Sequence, residues 1–289
     1  MEQSRRSEPI AVYPRAPVSE RIALTDPAAG TGPAVGAGPT EGAGPADDAG
    51  APAEAGPLTV QVLLLGGFEV RVDGITLGVS HVAQRLVSYL ALRRRGVSRT
   101  ELSGVLWPEV DAERAAACLR SALWRARSCT GARLVHATTS WVTLADRVQV
   151  DYRHAEELTV RLSRDLPAGL DPGELTLLTS DLLPDWSEDW VATEREAFRQ
   201  LRLHTLERVC AVLTEHGDYQ GALTVGLAAV AGDPLRESAQ RCVIAAHLAE
   251  GNLAEAARQY DRFERLLARE LGVRPSAPLR SLAQSWRPG

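Results

Sequence analysis

Residues 58–151 contain strand-forming and helix-forming segments in an order that few folds accommodate. The stretch LTVQVLLLGGFEVRVDGITLG is rich in apolar and β-branched residues, and its Asp73-Gly74 pair is typical of a tight hairpin turn, so it predicts a small antiparallel sheet. Three helix-length segments follow, and the stretch RLVHATTSWVTLADRVQVD then predicts two or three short strands. A sheet, three helices and a hairpin in this order are typical of a winged helix with an N-terminal sheet.

Residues that start or stop helices mark the limits of these three segments. Gly96 ends the first segment and Pro108 follows the second. Asp111 is a candidate N-cap for the third, with Glu113 near the positive end of the helix dipole. The three helices are predicted at residues 80 to about 95, 99 to about 106 and 111 to about 128.

Length and composition divide the rest of the chain. A chain of 289 residues is long for one compact domain and comfortable for two, each with its own core. Residues 27–57 consist mostly of Ala, Gly and Pro and have almost nothing apolar to bury. The predicted domains are a disordered arm at residues 1–57, a winged helix at residues 58–151 and a helical domain at residues 152–289.

The helical half contains an internal repeat. The stretches HGDYQGAL, from His216, and EGNLAEAA, from Glu250, share one order of glycine, polar, aromatic or aliphatic, and alanine residues at a displacement of 34 residues. This is the period of the tetratricopeptide repeat. Glycine permits the turn between paired helices, and alanine lets the helices approach closely. Since a free-standing array needs about three units, we expect residues 186–215 to supply the missing packing surface.

Charge is distributed unevenly along the chain. Every basic residue is an arginine, so neither a Walker-type phosphate loop nor a Schiff-base lysine can form. Residues 58–150 hold 12 arginines against 7 carboxylates, whereas residues 151–289 hold 16 arginines against 22 carboxylates. The basic middle segment favours a polyanionic partner such as DNA, and the acidic helical half favours contacts with protein.

The third predicted helix has an outward face that combines a tryptophan with arginines. At about 100° per residue, Leu119 and the alanines around it form a close-packing face, and Trp124 lies about 140° away from Leu119. Trp124 packs against the neighbouring hairpin or a loop, anchors a protein interface, or belongs to a face that enters the DNA major groove. The outward face and its flanks comprise Arg114, Ala117, Arg120, Ser121, Trp124, Arg125 and Ser128.

The hairpin after this helix offers a second candidate contact. Its polar tip, Thr138-Thr139-Ser140, is either a set of hydrogen-bond partners for phosphates in the adjacent minor groove or a plain solvated loop. Arg133 and Arg147 flank the hairpin and suit the same role.

Other functional classes find little support in the sequence. The six histidines form no H-x-x-x-H pair, and there is no G-x-S-x-G motif, so we expect no catalysis, no metal and no cofactor. The four cysteines form no C-x-x-C pair and are expected to be reduced thiols used for packing. No apolar run reaches the roughly 18 residues of a membrane span, and no secretory signal is present. We therefore expect a cytoplasmic, nucleoid-associated protein without membrane contact.

Several stretches, in order, resemble one family. LLGGFEVRVDG, QRLVSYLALRRRGVSRTELSGVLWP and AAACLRSALWRAR resemble the Streptomyces antibiotic regulatory protein family, whose DNA-binding part is an OmpR-type winged helix. LLPDWSEDWVATEREAFRQLRLHTLERV and LARELGVRPSAPLRSL resemble that family's bacterial transcriptional activation domain. The resemblance runs from about Val60 to Leu282. It implies a mainly α fold with a small β component: an N-terminal OmpR-type winged helix-turn-helix followed by an all-α, tetratricopeptide-like domain.

The resemblance also implies a function. A member of this family is a transcription activator that binds direct repeats near a promoter, usually as a head-to-tail pair, and recruits RNA polymerase holoenzyme. The target implied is an antibiotic biosynthetic cluster. A repressor with the same fold, or a helical-repeat adaptor without DNA binding, are the alternatives.

The resemblance assigns roles to particular residues. Residues 111–128 correspond to the recognition helix, and its DNA-facing side includes the outward arginines, Ser121 and Trp124. The loop before it, with Trp107, Glu109 and Val110, corresponds to a polymerase contact, and the alternative for Trp107 is that it caps the core. Larger relatives carry an ATPase module, so the resemblance implies a short form without ATP hydrolysis. The stretch SWVTL departs from the Gly-Tyr that relatives often carry in the wing.

Overall fold

The computed structural model describes most of the chain from residue 58 onward. The described residues are 58–130, 134–165, 169–284 and 286. The predicted disordered arm, residues 1–57, and the candidate contact Arg133 lie outside them. In chain order the elements are β1 (Val60–Leu63), β2 (Glu69–Val72), β3 (Ile75–Thr76), α1 (His81–Ala91), β4 (Val97–Ser98), α2 (Arg99–Leu106), α3 (Ala112–Thr130), β5 (Val135–Ala137), β6 (Trp141–Leu144), β7 (Val148–Val150), α4 (Asp151–Arg164), α5 (Pro172–Thr179), α6 (Asp189–Glu215), α7 (Tyr219–Gly232), α8 (Glu237–Glu250), α9 (Leu253–Glu270) and α10 (Ala277–Gln284).

The first sheet has the strand order β3-β2-β1-β7. β2 pairs antiparallel with β1 and with β3, and the turn between β2 and β3 contains Asp73 and Gly74 at positive φ angles of 48° and 81°. The antiparallel sheet predicted for residues 58–78 is confirmed, and the structure adds β7, which pairs in parallel with β1. The cause lies in the core, because Val148 and Val150 of β7 are buried there together with Val60 of β1.

The second sheet, with the order β4-β6-β5, forms the wing. β5 and β6 are an antiparallel hairpin in which Val135 pairs with Leu144 and Ala137 pairs with Val142. The Thr138 N–H donates to the Trp141 carbonyl at 2.9 Å and closes the turn. The predicted hairpin is confirmed, whereas the third strand of that stretch, β7, belongs to the first sheet.

The helices of this region agree with prediction except at the end of α1. α2 has the predicted limits, and α3 begins after Asp111, whose Oδ1 accepts from the Arg114 N–H at 2.9 Å as an N-cap does. α1 ends at Ala91, so the predicted end near residue 95 is wrong. The Arg153 side chain, from α4, donates to the Leu90 and Ala91 carbonyls at 3.0 and 2.9 Å and satisfies the terminal carbonyl groups there.

One hydrophobic core joins the winged-helix region to the first part of the helical region. Leu64, Leu86 and Leu119 pack in the same buried cluster as Val191 and Phe198 of α6. α4 contributes to this core near its N-terminus and to a second core, shared with α6, α7 and α8, further along. The predicted limits of the three domains stay predictions.

The helical region consists of packed helix pairs with a constant offset. Gly217 and Gly251, 34 residues apart, adopt φ angles of 80° and 84° in the turns before α7 and α9. These two helices begin at Tyr219 and Leu253, at the same offset. Gly is required at such turns because other residues rarely adopt positive φ. The repeat is therefore tetratricopeptide-like, and α6 supplies the packing surface expected from residues 186–215.

Candidate nucleic-acid interface

The inner face of α3 packs against α1 and α2. Small side chains allow this approach, as the sequence periodicity predicts. The buried residues of this face are Ala115, Leu119, Ala122, Leu123 and Ala126, with Ala116 half-buried. The burial of this face fixes which side chains α3 presents to solvent.

The outer face of α3 is open. Arg114, Arg120, Ser121, Arg125 and Ser128 are all exposed, as predicted. The Ser128 hydroxyl donates to the Trp124 carbonyl at 2.9 Å, one turn back in the same helix, and is thus engaged in a local bond.

Trp124 projects from the middle of this outer face. Its exposed fraction is 68%, so the interpretation that it packs against the neighbouring hairpin or a loop is wrong. Tryptophan has a large apolar surface and a polar N–H group and is enriched at interfaces between molecules. The protein-interface and DNA interpretations both remain as predictions.

The arginines of the outer face differ in their ion pairing. Arg114 faces Asp111 at 3.5 Å, and the two side chains are 80% and 60% exposed, so this pair contributes little stability. Among the described residues, no carboxylate lies within ion-pair distance of Arg120 or Arg125. Two guanidinium groups on one helix face are thus uncompensated.

The wing tip is held by the first residue of α2. The Arg99 Nε donates to the Thr138 carbonyl, and the Arg99 N–H donates to the Ser140 carbonyl, both at 3.0 Å. The Thr138 hydroxyl accepts from the Trp141 N–H at 3.0 Å, so it stabilises the turn itself. Thr139, Ser140 and the flanking Arg147 are exposed.

Sequence reasoning missed two residues of the wing. Trp141 is 55% exposed on β6, and Arg99 is the link between α2 and the wing tip. The alternation within β6 contained the signal for Trp141, since Val142 and Leu144 are buried and side chains on a strand alternate between faces. The contact of Arg99 has no local signal, because its partner lies 39 residues away.

The loop between α2 and α3 has a buried part and an open part. Trp107 is half-buried and packs against the first core, which confirms that it caps the core. Glu109 and Val110 are exposed. They line a cleft of about 610 Å³ whose other side includes Glu188 and Trp190, at the start of α6.

Three arginines of α1 and the loop after it, Arg85, Arg93 and Arg94, pair with carboxylates of the helical region. Arg93 Nη1 lies 2.6 Å from Glu194 Oε1, and Arg85 Nε lies 3.3 Å from Glu188 Oε1. Arg94 pairs with two carboxylates of α4, each at 3.2 Å. Part of the positive charge of residues 58–150 is therefore neutralised within the molecule.

Backbone bonds and a buried carboxylate reinforce the same junction. The Asp151 carboxylate, at the start of α4, accepts from the Leu64 and Leu65 N–H groups at 2.8 and 2.9 Å. Burial raises the pKa of Asp151, although the backbone N–H donors act in the opposite direction. The Leu183 N–H also donates to the Leu64 carbonyl at 2.9 Å.

Two further kinds of feature can be stated for the described part of the chain. It contains no helix that is both long and apolar enough to cross a membrane. It also contains no group of three or more His, Cys, Asp or Glu side chains placed to hold a metal ion.

Comparisons with known proteins agree with this architecture. The family described as Bacterial transcriptional activator domain matches residues 174–287. Two curated relatives, both described as Regulatory protein AfsR, come from Streptomyces griseus and Streptomyces coelicolor. Each is 28% identical to this chain, over 212 and 232 residues respectively. The matches cover 70% and 76% of this chain but only 22% and 23% of those relatives, so the chain spans less than a quarter of their length.

A solved structure shares the fold. It is described as Mycobacterium tuberculosis EmbR in complex with low affinity phosphopeptide, and it aligns with a TM-score of 0.61 at 19% identity. The alignment covers 79% of this chain and 65% of that chain. The predicted fold class, a winged helix followed by a tetratricopeptide-like helical domain within a mainly α chain, is confirmed.

Proposed function

We propose that the chain is a member of the Streptomyces antibiotic regulatory protein family and acts as a sequence-specific, DNA-binding transcriptional activator; the support is the activator-domain match and the two regulatory relatives. It binds direct repeats near a promoter as a head-to-tail pair and recruits RNA polymerase holoenzyme. The genes controlled are those of a secondary-metabolite, antibiotic, biosynthetic cluster. The observation that carries the proposal is the exposed face of α3, where Arg120 and Arg125 lack acidic partners and flank the exposed Trp124.

The recognition step uses the outer face of α3. The major groove of B-DNA is wide enough for one α-helix, and an arginine donates two hydrogen bonds to the O6 and N7 acceptors of guanine. Arg120 and Arg125 are the candidates for these contacts. Trp124 supplies apolar contact between them, and Ser121 is a small hydrogen-bonding neighbour. Arg114 lies near the N-terminus of the helix, where phosphates are favoured.

The wing supplies contacts that position the protein without reading sequence. Thr139 and Ser140 present hydroxyl groups from the tip, and Arg147 adds a charge at the base of the hairpin. Such side chains bind phosphate oxygens and fix the register of the protein on the duplex. Arg99 keeps the tip in place through its two bonds to the Thr138 and Ser140 carbonyls.

The activation step uses surfaces away from the DNA. Glu109 and Val110 are exposed in the loop before α3 and are the candidate polymerase contacts of the winged helix, whereas Trp107 holds that loop on the core. The acidic helical region is the second candidate surface for the transcription machinery. The ion pairs and backbone bonds of the junction keep both surfaces in a fixed orientation to α3.

The decisive experiment combines a footprint with transcription. The purified chain is titrated onto DNA from upstream of the neighbouring biosynthetic genes, and nuclease protection is mapped. In vitro transcription with RNA polymerase holoenzyme is then measured on the same DNA. We expect protection of two direct repeats and increased transcript. Protection with reduced transcript identifies a repressor, and the absence of any protected site identifies an adaptor.

A further inference from the structure

Two cysteines lie on the packed helices α6 and α8, at a core separate from the one that contains α3. Cys210 of α6 is fully buried in the second core, and Cys242 of α8 is half-buried and packs against that core. The Cys242 Sγ also lies 3.6 Å from the Glu207 carbonyl, one turn before Cys210 on α6. The Cys242 thiol thus contacts a carbonyl of the helix that carries Cys210.

Gly226 of α7 brings the helices that carry these thiols together. A Cβ atom at Gly226 would lie 2.9 Å from the Cys210 Sγ and 3.0 Å from Cγ2 of Val243, the residue after Cys242. α6 and α8 therefore both pack onto the bare backbone of one glycine. The Cys210 sulfur is held at this three-helix contact and Cys242 precedes Val243 on α8, while the other two cysteines, Cys118 and Cys129, lie on α3.

The two thiols differ in burial and in acidity. The interaction between them lowers the pKa of Cys242 and raises the pKa of Cys210, and burial raises the pKa of Cys210 further. Cys242 is also the more exposed of the two. A partly exposed thiol whose pKa is lowered, close to a second thiol, is the arrangement found where cysteines oxidise selectively.

We propose that Cys210 and Cys242 form an oxidation site at which a peroxide converts the two thiols into an intramolecular disulfide. The Cys242 thiolate attacks one oxygen of hydrogen peroxide, an S–O bond forms, the O–O bond breaks, and the departing hydroxide takes a proton to become water. The Cys210 sulfur then attacks the Cys242 sulfur. An S–S bond forms, the S–O bond breaks, and the hydroxyl group leaves as water with the Cys210 proton. Two thiols are oxidised and one peroxide is reduced to two waters.

The disulfide would connect two helices of the helical region and close a long loop. In the chain-entropy account, such a cross-link stabilises the folded state by restricting the unfolded chain. We therefore expect the oxidised chain to have a higher Tm than the reduced chain. The inference rests on the position, burial and acidity of the two thiols and stands independently of the proposed DNA binding.

Peptide mapping after oxidation tests the proposal directly. The full chain is treated with hydrogen peroxide, free thiols are alkylated, and the protein is digested with trypsin without reduction. Because the sequence has arginines at positions 208, 236, 241 and 258, trypsin releases Cys210 in residues 209–236 and Cys242 in residues 242–258. We expect these two peptides to be joined, to separate on treatment with dithiothreitol, and to join equally in a Cys118→Ser/Cys129→Ser variant.

Single variants show which thiol reacts first. In Cys210→Ala the disulfide is lost, and we expect dimedone to label Cys242 as a sulfenic acid. In Cys242→Ala we expect Cys210 to resist dimedone under the same conditions. Circular dichroism establishes whether each single variant is folded. If a variant does not fold, the peptide mapping of the unaltered chain decides the proposal. The proposal is wrong if peroxide leaves peptides 209–236 and 242–258 separate and alkylated, or if it oxidises Cys118 and Cys129 first.

Discussion

At the scale of single residues, the same amino acid has different roles on neighbouring elements. Arg93, just beyond α1, lies 2.6 Å from a carboxylate of α6, whereas Arg120 and Arg125 on α3 have no acidic partner among the described residues. A guanidinium with a partner has its charge satisfied within the molecule, and one without a partner is available to phosphates and base edges. Ion pairing therefore marks Arg93 as a junction residue and leaves the guanidinium groups of Arg120 and Arg125 available to another molecule.

Removing either of the two arginines proposed to contact bases, Arg120 or Arg125, should weaken DNA binding. We expect Arg120→Ala and Arg125→Ala each to cost about 1–3 kcal/mol of binding free energy if the arginine reads a base edge. Gel-shift titration on the footprinted repeat measures the change. Arg208→Ala, at an exposed arginine of α6, removes the same charge away from α3 and is the matched control. If both α3 variants bind like the control, α3 is not the recognition helix.

Trp124 should matter for binding and not for folding. Because its side chain is 68% exposed, Trp124→Ala removes little buried surface, and we expect the urea midpoint of unfolding to stay nearly unchanged. The affinity for the promoter repeat should fall. A large loss of stability with unaltered DNA affinity would show that the side chain supports the fold instead.

At the scale of elements, the start of α4 is a structural link. The Asp151 carboxylate accepts from two backbone N–H groups at the end of β1, and Arg153, two residues later, satisfies the end of α1. Buried N–H and C=O groups require partners, and here the side chains of one helix supply them to two other elements. α4 thereby fixes both the first sheet and α1.

Asp151 can be tested with a pair of variants. In Asp151→Ala the Leu64 and Leu65 N–H groups lose their acceptor, and we expect the free energy of unfolding to fall by about 1–3 kcal/mol. Asp151→Asn keeps one oxygen acceptor, so we expect a smaller loss. Urea denaturation of the three proteins measures both. Equal stability of Asp151→Ala and the parent chain would contradict the role given to this carboxylate.

Two glycines within helices should respond to alanine in opposite ways. At Gly226 the added Cβ meets buried side chains at 2.9 and 3.0 Å, so we expect Gly226→Ala to destabilise the chain by about 1–3 kcal/mol through overpacking. At Gly104 of α2 nothing lies within 4 Å of the added atom. We expect Gly104→Ala to stabilise the chain by about 0.5–1 kcal/mol, because alanine favours helix. Thermal unfolding that shifts both variants in one direction would contradict this packing argument.

At the scale of the whole molecule, the arginines of residues 58–150 fall into two groups. Some stabilise the junction with the helical region, and others are available to bind DNA. The excess of arginine in residues 58–150 meets the excess of carboxylates in residues 151–289 at the junction, through pairs such as Arg93–Glu194. Part of the charge left over lies on α3, at the exposed Arg120 and Arg125, and beside the wing, at the exposed Arg147. An acidic chain can therefore present a basic surface to DNA, since its net charge is not spread evenly.

The salt dependence of DNA binding should distinguish arginines that pair within the molecule from arginines that bind phosphates. Each phosphate neutralised contributes about 0.9 to the negative slope of log affinity against log salt concentration. We expect Arg93→Ala to leave the slope of the parent chain unchanged, because Arg93 faces Glu194. A variant of an arginine that binds phosphate should reduce the slope by about 1. A reduced slope for Arg93→Ala would place that residue on the DNA instead.

The sequence by itself determined the features that depend on neighbours along the chain. The order of strands and helices, the two faces of α3 around Leu119, the N-cap at Asp111 and the offset of 34 residues between Gly217 and Gly251 were all readable from periodicity and turn residues. Each depends on contacts within a few turns or on a repeated pattern. Local geometry is enough to specify them.

Only the tertiary structure decided which distant segments meet. It placed β7 beside β1, ended α1 where Arg153 reaches its carbonyls, left Trp124 in solvent and paired Arg93 with Glu194. The partners in these contacts lie about 60 to 100 residues apart in the chain, as with the 101 residues between Arg93 and Glu194. No local pattern encodes such a pairing, because its free energy comes from burial and complementary charge that exist only once the chain has folded.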